Sequence, residues 1–186
     1  MFQTAKGCIW LMAESGMEDA KRLLPYIDLS SLANLGGMSY TPPEITRAYR
    51  VQTETRFNYS NLAAFASGCD VIVDLPCGYA PRALSAARAG IQYYGFDLPA
   101  VINEMAPAVE KVAAAEEKKY IHFAAVDATN YDSLRKALDS VTGKLCIVMD
   151  GLVGFFTEPE LNSLVYEVKE IFDVTGFSDI FRITGA

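Results

Sequence analysis

Four short apolar runs in the second part of the chain constrain its fold most. Each run is rich in β-branched or aromatic residues and carries an aspartate at or near its end, and a helix-patterned segment separates it from the next. The runs are VIVDL (71–75), IQYYGFD (91–97), YIHFAAVD (120–127) and KLCIVMDGL (144–152). Strands that alternate with helices usually pair in parallel through right-handed crossovers. The pattern therefore predicts an α/β fold with a Rossmann-like, mostly parallel sheet and helices on both of its faces.

Residues that start or interrupt helices lie between these runs. Pro81 and Pro99 stand where a first helical turn begins, and Thr157 with Glu160 matches a capping box. Pro107 falls inside the segment after the second run, where a proline removes a backbone hydrogen bond. We therefore expect helices to begin close to Pro81, Pro99 and Thr157, and a kink or a break at Pro107.

The first part of the chain has a different pattern, which predicts helices only. In TPPEITRAYRVQTETRFNYSNLAAFASG, Thr41 is a suitable N-cap, Glu44 follows it by three residues as in a capping box, and Gly68 is a natural stop. We therefore expect a helical N-terminal cap at residues 1–69 and a cofactor-binding core at residues 70–186, together forming one compact unit.

Size, composition and charge narrow the function classes. The chain has 186 residues, of which 51% are hydrophobic, so it is long and apolar enough to fold around a core. Its formal charge of −7, without a basic cluster, disfavours binding to a phosphate backbone, so we expect no nucleic-acid partner. No apolar run approaches the length of about 20 residues that a membrane helix needs, so we expect no membrane span.

Cysteine and histidine usage gives no sign of a metal site. The cysteines are Cys8, Cys69, Cys77 and Cys146. They lack the close spacing of a zinc site, and the only histidine, His122, sits in an apolar stretch that favours a core position. We therefore expect no bound metal, and free thiols in a reducing cytosol, which makes the predicted location cytoplasmic.

The aspartates of the four runs point to a ligand site. They are Asp74, Asp97, Asp127 and Asp150. In a parallel sheet, ligands bind outside the carboxyl ends of the strands, where all four are expected. Gly78, in the turn DLPCGY, lets the backbone approach a ligand, and Asp97 follows it by 19 residues, a spacing suited to a ribose-binding carboxylate. The alternative is that Gly78 only permits a tight turn and that the aspartates cap helices, but their joint placement favours an adenosine-containing cofactor.

The turn after the first run has no phosphate-binding signature. A dinucleotide fingerprint reads G-x-G-x-x-G and a phosphate loop reads G-x-x-x-x-G-K-[ST], and neither occurs here. Pro76 stands at the first glycine position, and Tyr79 and Ala80 follow Gly78. A cofactor without phosphates fits this turn better, and S-adenosylmethionine is such a cofactor.

Five segments, taken in order from about residue 43 to residue 161, carry a family resemblance. They are PEITRAYR, VIVDLPCGYAPRA, YYGFDLPAVI, FAAVDATN and CIVMDGLVGFFTEPEL. They resemble an N-terminal arginine segment, a glycine-rich motif, an acidic ribose motif, an adenine-side motif and a strand-four motif. The family is the leucine carboxyl methyltransferase-like branch of class I S-adenosylmethionine-dependent methyltransferases, which includes bacterial O-methyltransferases of secondary metabolism. No single motif is specific, but their order and spacing together are fairly specific.

The resemblance implies which residues hold the methionine end of the cofactor. Gly78 and its neighbours Pro76 and Cys77 would line the methionine moiety, and Asp150 would face the amino group or the sulfonium. An upstream arginine would pair with the cofactor carboxylate. The two candidates are Arg50 and Arg56. Proline at the first glycine position and the irregular arginine spacing depart from the family pattern, which predicts reduced or lost cofactor affinity.

The resemblance also implies the residues of the adenosine end. Asp97 would bind the ribose, with Leu98 beside the adenine, and Asp127 and Ala128 would contact the adenine edge. Asp74, at the end of the first run, completes the set of expected cofactor-binding residues.

The predicted function is therefore S-adenosylmethionine-dependent methyl transfer to an oxygen, either a hydroxyl of a small molecule or a carboxylate of a small molecule or peptide. Methyl transfer depends largely on positioning, and a carboxylate acceptor needs no general base. His122 is expected in the core, so we assign no catalytic residue. The alternative function is a cofactor-binding or interaction module that has lost turnover.

The segment after the fourth run predicts few further strands. A complete class I methyltransferase sheet continues with a fifth strand and a reversed hairpin, whereas FSDIFRITGA (177–186) supplies at most one strand. We expect the C-terminal strands to be missing, either because the chain is truncated or because a partner supplies the edge. Since an unpaired edge strand tends to recruit another chain, we expect a homo-oligomer through the open edge.

Overall fold

The computed structural model describes residues 2–33, 43–139, 141–152 and 155–171. The helices in these ranges are α1 (Phe2–Glu14), α2 (Glu18–Leu23), α3 (Ser30–Ala33), α4 (Pro43–Ala66), α5 (Arg82–Arg88), α6 (Pro99–Val112), α7 (Tyr131–Leu138) and α8 (Glu158–Ile171). Short 3₁₀ helices span Leu24–Tyr26 and Lys118–Tyr120. The strands are β1 (Val71–Asp74), β2 (Gln92–Asp97), β3 (Ile121–Ala125) and β4 (Leu145–Val148). Within the described part of the chain, no helix has the length and apolar character needed to cross a membrane.

The four described strands form one parallel sheet in the order β3-β2-β1-β4. Val71 of β1 aligns with Gln92 of β2 on one side and with Leu145 of β4 on the other. On the far side of β2, Tyr93 aligns with Ile121 of β3. The chain moves outward from β1 to β3 and then returns to place β4 beside β1, so the switch point lies between β1 and β4. The predicted Rossmann-like parallel sheet is confirmed.

Side chains alternate across β1 and divide the core into two clusters. Ile72, together with Tyr93, packs in the first core cluster with residues of α1, α2, α4, α5 and α6. Val71 and Val73, together with Phe96, pack in the second core cluster with residues of α7 and α8. These five side chains are at most 2% exposed, and burying one of this kind contributes roughly 1.5–3 kcal/mol to stability. Helices therefore cover both faces of the sheet, as predicted.

The described residues of the N-terminal part form helices and no strand. Ile9 of α1 and Phe57 of α4 join the first core cluster, so these helices pack on the sheet. α4 ends at Ala66, and Gly68 follows with a φ of +64°, which glycine adopts without strain. The predicted stop at Gly68 is thus confirmed, whereas Thr41 lies outside the described residues. The division into a cap and a core stays a prediction.

The helix signals of the second part have mixed outcomes. α6 begins at Pro99, and α5 begins directly after Pro81. Glu160 accepts hydrogen bonds from the backbone amide and the hydroxyl of Thr157, both at 2.8 Å, and the amide bond is the half of a capping box that the glutamate supplies. Of the kink or break expected at Pro107, the break is wrong, because α6 continues past this residue, and the kink stays a prediction. The buried face of α6 packs on the sheet, and this tertiary packing outweighs the lost backbone hydrogen bond.

His122 lies in β3, as expected, but its side chain is exposed. Its Nε2 lies 3.1 Å from Gln92 Oε1, and its ring stacks on Tyr94 with a centroid distance of 4.6 Å. The predicted core position is therefore wrong, because β3 is an edge strand of the described sheet and only partly covered. The segment after residue 171 is not described, so the expectations of missing C-terminal strands and of an open edge stay predictions.

Candidate functional site

The carboxyl ends of the strands bring the four predicted aspartates to one edge of the sheet. Asp74 is the last residue of β1, and Asp97 is the last residue of β2. Asp127 and Asp150 each follow the end of a strand, β3 and β4, by two residues. Parallel strands place their carboxyl ends on the same side, so all four lie along that edge. The first two strands thus end where predicted, and the other two end slightly earlier.

The turn after β1 is joined directly to the end of β2. Gly78 has a φ of +52°, and its backbone amide donates to Asp97 Oδ2 at 2.8 Å. Asp97 Oδ1 accepts from the backbone amide of Leu98 at 2.7 Å. Asp97 is only 7% exposed, and burial raises its pKa although the two amide hydrogen bonds lower it. Because each carboxylate oxygen keeps a free lone pair, Asp97 can accept ribose hydroxyls without losing these bonds.

Asp74 is buried and paired with an arginine. Its Oδ2 accepts from Arg82 Nη1 at 2.7 Å and from the Tyr93 hydroxyl at 3.0 Å, and the residue is 1% exposed. Its Oδ1 has no hydrogen-bond partner among the described residues. Burial raises the pKa of Asp74 to about 6, and the charge of Arg82 limits this rise. Neither carboxylate oxygen of Asp74 is accessible, so Asp74 stabilises the carboxyl edge of the sheet from within the core and does not contact a ligand.

Arg82, which the sequence analysis missed, links the elements of this edge. Nε donates to Asn61 Oδ1 at 2.6 Å, and Nη2 donates to Ser60 Oγ at 2.7 Å and lies 3.6 Å from Asp150 Oδ2. Burial lowers the pKa of Arg82, but Asp74 and the neighbouring charges raise it above its usual value. The available signal was an arginine in the apolar helix RALSAAR, since a buried charge needs partners. Its partner Asp74 lies eight residues earlier, at the end of β1, whereas the other partners come from α4 and from the loop after β4, where no local pattern identifies them.

Asp150 and Arg56 form a second, partly exposed ion pair. Arg56 Nε lies 2.7 Å from Asp150 Oδ1, with side chains 26% and 13% exposed. The pair is not aligned as a hydrogen bond, and neither atom has another hydrogen-bond partner among the described residues. Arg56 Nη2 also lies 3.9 Å from Cys8 Sγ of α1. The structure therefore brings Arg56 to Asp150, whereas Arg50 donates to the Glu14 carbonyl at the end of α1, at 2.5 Å.

The remaining predicted residues differ in accessibility. Asp127 is exposed, and its Oδ1 accepts from the amide and the hydroxyl of the residue two positions later, at 2.9 and 2.7 Å. It thus stabilises its own turn. Leu98, Ala128 and Pro76 are half-buried. Cys77 is 3% exposed and packs in the first core cluster, so only its backbone can face a ligand.

Helix α1 covers the turn after β1. A side chain at Gly78 would meet Ala5 Cβ of α1 at 3.8 Å. Lys6 is 8% exposed and lies 2.9 Å from Glu104 Oε2 of α6, and the Tyr79 hydroxyl donates to the same oxygen at 2.6 Å. Burial raises the pKa of Tyr79 well above its usual range, and the Glu104 carboxylate raises it further. A ligand that reaches Gly78 must therefore share this surface with α1 or displace it.

A cavity of about 500 Å³ lies elsewhere, between α6 and β3. Its lining is mostly apolar, and its two charged residues, Glu110 and Lys118, pair with each other at 2.6 Å. None of the four strand-end aspartates lines it. The predicted cofactor would need convergent polar groups, which this lining does not supply, so the carboxyl edge is taken as the candidate site.

Within the described ranges, no group of three or more histidine, cysteine, aspartate or glutamate side chains is arranged to hold a metal ion. The four cysteines are free thiols. No protein-family model matches the chain, and no curated protein matches it. A functional assignment therefore depends on the chemistry of the carboxyl edge together with the sequence resemblance.

Proposed function

We propose that the chain binds S-adenosylmethionine at the carboxyl edge of its sheet and transfers the methyl group to an oxygen of a small-molecule hydroxyl or a carboxylate. The observation that carries this proposal is the 2.8 Å hydrogen bond from the Gly78 amide to Asp97. It joins a glycine turn after the first strand to an acidic residue at the end of the second. Nucleoside-binding α/β folds use such an arrangement to hold a ribose.

The charged groups at the carboxyl edge complement the amino-acid end of S-adenosylmethionine better than they complement the phosphates of a dinucleotide. Arg56 and Asp150 offer one cation and one anion, both partly exposed, which complement the carboxylate and the ammonium group of the cofactor. A pyrophosphate needs several free amide or basic donors at the turn, whereas the Gly78 amide already donates to Asp97. The lack of a glycine-rich phosphate fingerprint in the sequence agrees with this preference.

When bound, the cofactor would supply an activated methyl group for in-line transfer to the acceptor oxygen. The residues of the chain contribute positioning: Asp97 for the ribose, Asp150 for the ammonium group and Arg56 for the carboxylate. A carboxylate acceptor needs no proton removal, whereas a hydroxyl acceptor does. His122 is exposed on the edge strand and stacks on Tyr94, so it is not assigned as the base, and we assign no catalytic side chain.

Two observations favour a second function, a binding module without turnover. Helix α1 covers the turn, with Ala5 Cβ 3.8 Å from the position of a Gly78 side chain. The charged groups at the edge already have intramolecular partners, since Asp97 accepts two backbone amides and Asp150 contacts Arg56. A closed, internally paired site of this kind suits a chain that holds a ligand or a partner without exchanging substrates.

Calorimetric titration with S-adenosylhomocysteine tests cofactor binding. We expect wild type to bind, and Asp150→Asn to bind about 10-fold or more weakly, because a hydrogen bond to a charged group contributes roughly 1.5–3 kcal/mol. Asp132→Asn, on the exposed first turn of α7, is the matched control and should bind like wild type. NAD, a cofactor with phosphates, should not bind. Failure of wild type to bind S-adenosylhomocysteine, or equally tight binding of NAD, would overturn the proposal.

A methyl-release assay then separates the two functions. Wild type is incubated with S-adenosylmethionine and a panel of hydroxyl and carboxylate acceptors, and S-adenosylhomocysteine formation is followed. Acceptor-dependent release supports the methyltransferase. Tight cofactor binding without release for any acceptor class supports the binding module.

A further inference from the structure

A guanidinium group without exposed surface lies next to the candidate site. Arg82 is 0% exposed, and its nitrogens reach polar partners on β1, on α4 and in the loop after β4. Nη1 donates to Asp74 at 2.7 Å, and Nε donates to Asn61 at 2.6 Å. A buried guanidinium held by several charge-assisted bonds has one orientation, because moving it would leave buried polar groups without partners.

The remaining nitrogen of Arg82 faces Asp150. Nη2 lies 3.6 Å from Asp150 Oδ2 and donates to Ser60 Oγ at 2.7 Å. The Ser60 hydroxyl lies 3.5 Å from the same Asp150 oxygen. Asp150 Oδ2 therefore faces the Arg82 guanidinium directly and lies near the Ser60 hydroxyl, whose single proton has a nearer acceptor in the Phe57 carbonyl at 3.0 Å.

The two arginines at Asp150 differ in their freedom to exchange partners. The Arg56 side chain is 26% exposed, and its contact with Asp150 Oδ1 is not aligned as a hydrogen bond. Arg56 can therefore turn to another anion, provided that a new cation takes its place beside the buried Asp150 Oδ1. Arg82 is fully buried and committed to several partners, so it stays in place when Arg56 moves.

Resting on the proposed function, we propose that Arg82 is a positioning residue that holds Asp150 ready for the ammonium group of the cofactor while Arg56 turns to the cofactor carboxylate. Arg82 itself is too deeply buried to touch the cofactor. The consequence is selective: loss of Arg82 weakens ligands that carry the amino-acid end and spares ligands that lack it.

Two ligands separate this role from a purely structural one. S-adenosylhomocysteine and 5′-methylthioadenosine share the adenosine and the sulfur, but only the first carries the amino-acid end. In calorimetric titrations, Arg82→Lys should bind S-adenosylhomocysteine about 10-fold or more weakly and 5′-methylthioadenosine within about twofold of wild type. Lysine keeps the charge, but its three donors share one nitrogen and cannot span the partners that surround the planar guanidinium.

Ser60→Ala gives a second, milder test that does not depend on the folding of Arg82→Lys. It removes only the hydroxyl between Arg82 and Asp150, so it should show the same selectivity for S-adenosylhomocysteine with a smaller loss. Leu84→Ala is the matched structural control, because Leu84 lies on the same helix, is 0% exposed and packs in the first core cluster. This control should change both affinities in parallel or neither.

The outcomes separate the positioning role from the proposed function. If Arg82→Lys and Ser60→Ala weaken both ligands equally, or leave S-adenosylhomocysteine binding unchanged, the positioning role is overturned and the proposed function stands. If wild type binds neither ligand, the proposed function falls and the positioning role falls with it. Selective loss of S-adenosylhomocysteine in both variants supports the positioning role.

Discussion

Replacing Asp97 with alanine should weaken both the fold and cofactor binding. The backbone amides of Gly78 and Leu98, which donate to Asp97 at 2.8 and 2.7 Å, would lose their acceptor. A buried donor left unpaired costs about 1–3 kcal/mol, and both residues are only half-buried, so water recovers part of that cost. We therefore expect the free energy of unfolding to fall by about 1–4 kcal/mol.

The same substitution should lower cofactor affinity by more than the loss of stability explains. Hydrogen bonds from ribose hydroxyls to a charged acceptor contribute roughly 1.5–3 kcal/mol each, so losing two raises the dissociation constant about 100-fold or more.

Asp97→Asn keeps one acceptor oxygen and should lie between wild type and Asp97→Ala in stability. Asp127→Ala is the matched control, because Asp127 also accepts two hydrogen bonds from its own turn but is exposed. It should lose little stability.

Urea unfolding followed by the fluorescence of the single tryptophan, Trp10 of α1, measures the first effect. Calorimetric titration with S-adenosylhomocysteine, at conditions where each variant is folded, measures the second. Asp97→Ala with wild-type stability would refute the role of the two amide bonds. Lowered stability with wild-type affinity would make Asp97 purely structural and remove the observation that carries the proposed function.

Three further predictions concern other parts of the molecule. Because the folded-state pKa of Asp74 is raised from 3.8 to about 6, this group lowers the free energy of unfolding as pH rises across that range. Asp74→Asn removes the titrating group, so its free energy of unfolding should not show this decline and should rise relative to wild type by up to about 3 kcal/mol between pH 3.8 and about pH 6. Urea unfolding at several pH values measures this difference, and the same pH dependence in both proteins would contradict the prediction. Gly95→Ala should lower the free energy of unfolding by about 1–3 kcal/mol in urea unfolding, because its Cβ would lie 2.6 Å from the Phe123 ring, and unchanged stability would contradict this. Lys6→Met removes the ion pair with Glu104 and should speed association of S-adenosylhomocysteine in stopped-flow fluorescence, whereas an unchanged rate would show that α1 does not limit access.

Local patterns predicted the sheet and assigned Gly78 and Asp97 to one site, because both residues lie within one strand–helix–strand unit. The 19-residue spacing from Gly78 to Asp97 is such a local signal, and the structure joins the two residues by a hydrogen bond. The environment of Arg82 could not be predicted in the same way. Apart from Asp74 of β1, its partners come from α4 and from the loop after β4, so they meet only in the folded chain. His122 was misplaced because an apolar run does not reveal whether its strand lies in the centre or at the edge of a sheet.

The hydrogen bonds and ion pairs within the carboxyl edge are compatible with ligand exchange, because some of them can persist in the complex and only the others must change. Asp97 can keep both amide hydrogen bonds and still accept hydroxyls with its remaining lone pairs. Two contacts must change when a ligand binds. The first is the misaligned contact between the partly exposed side chains of Arg56 and Asp150. The second is the packing of α1 over the turn, which the ion pair between Lys6 and Glu104 supports. A cofactor that brings its own carboxylate and ammonium group would replace each lost partner with one of the same charge. If the proposed cofactor binds at this edge, the paired charges can exchange partners, and the packing of α1 over the turn is the contact that must move; slow movement of α1 would favour the binding module.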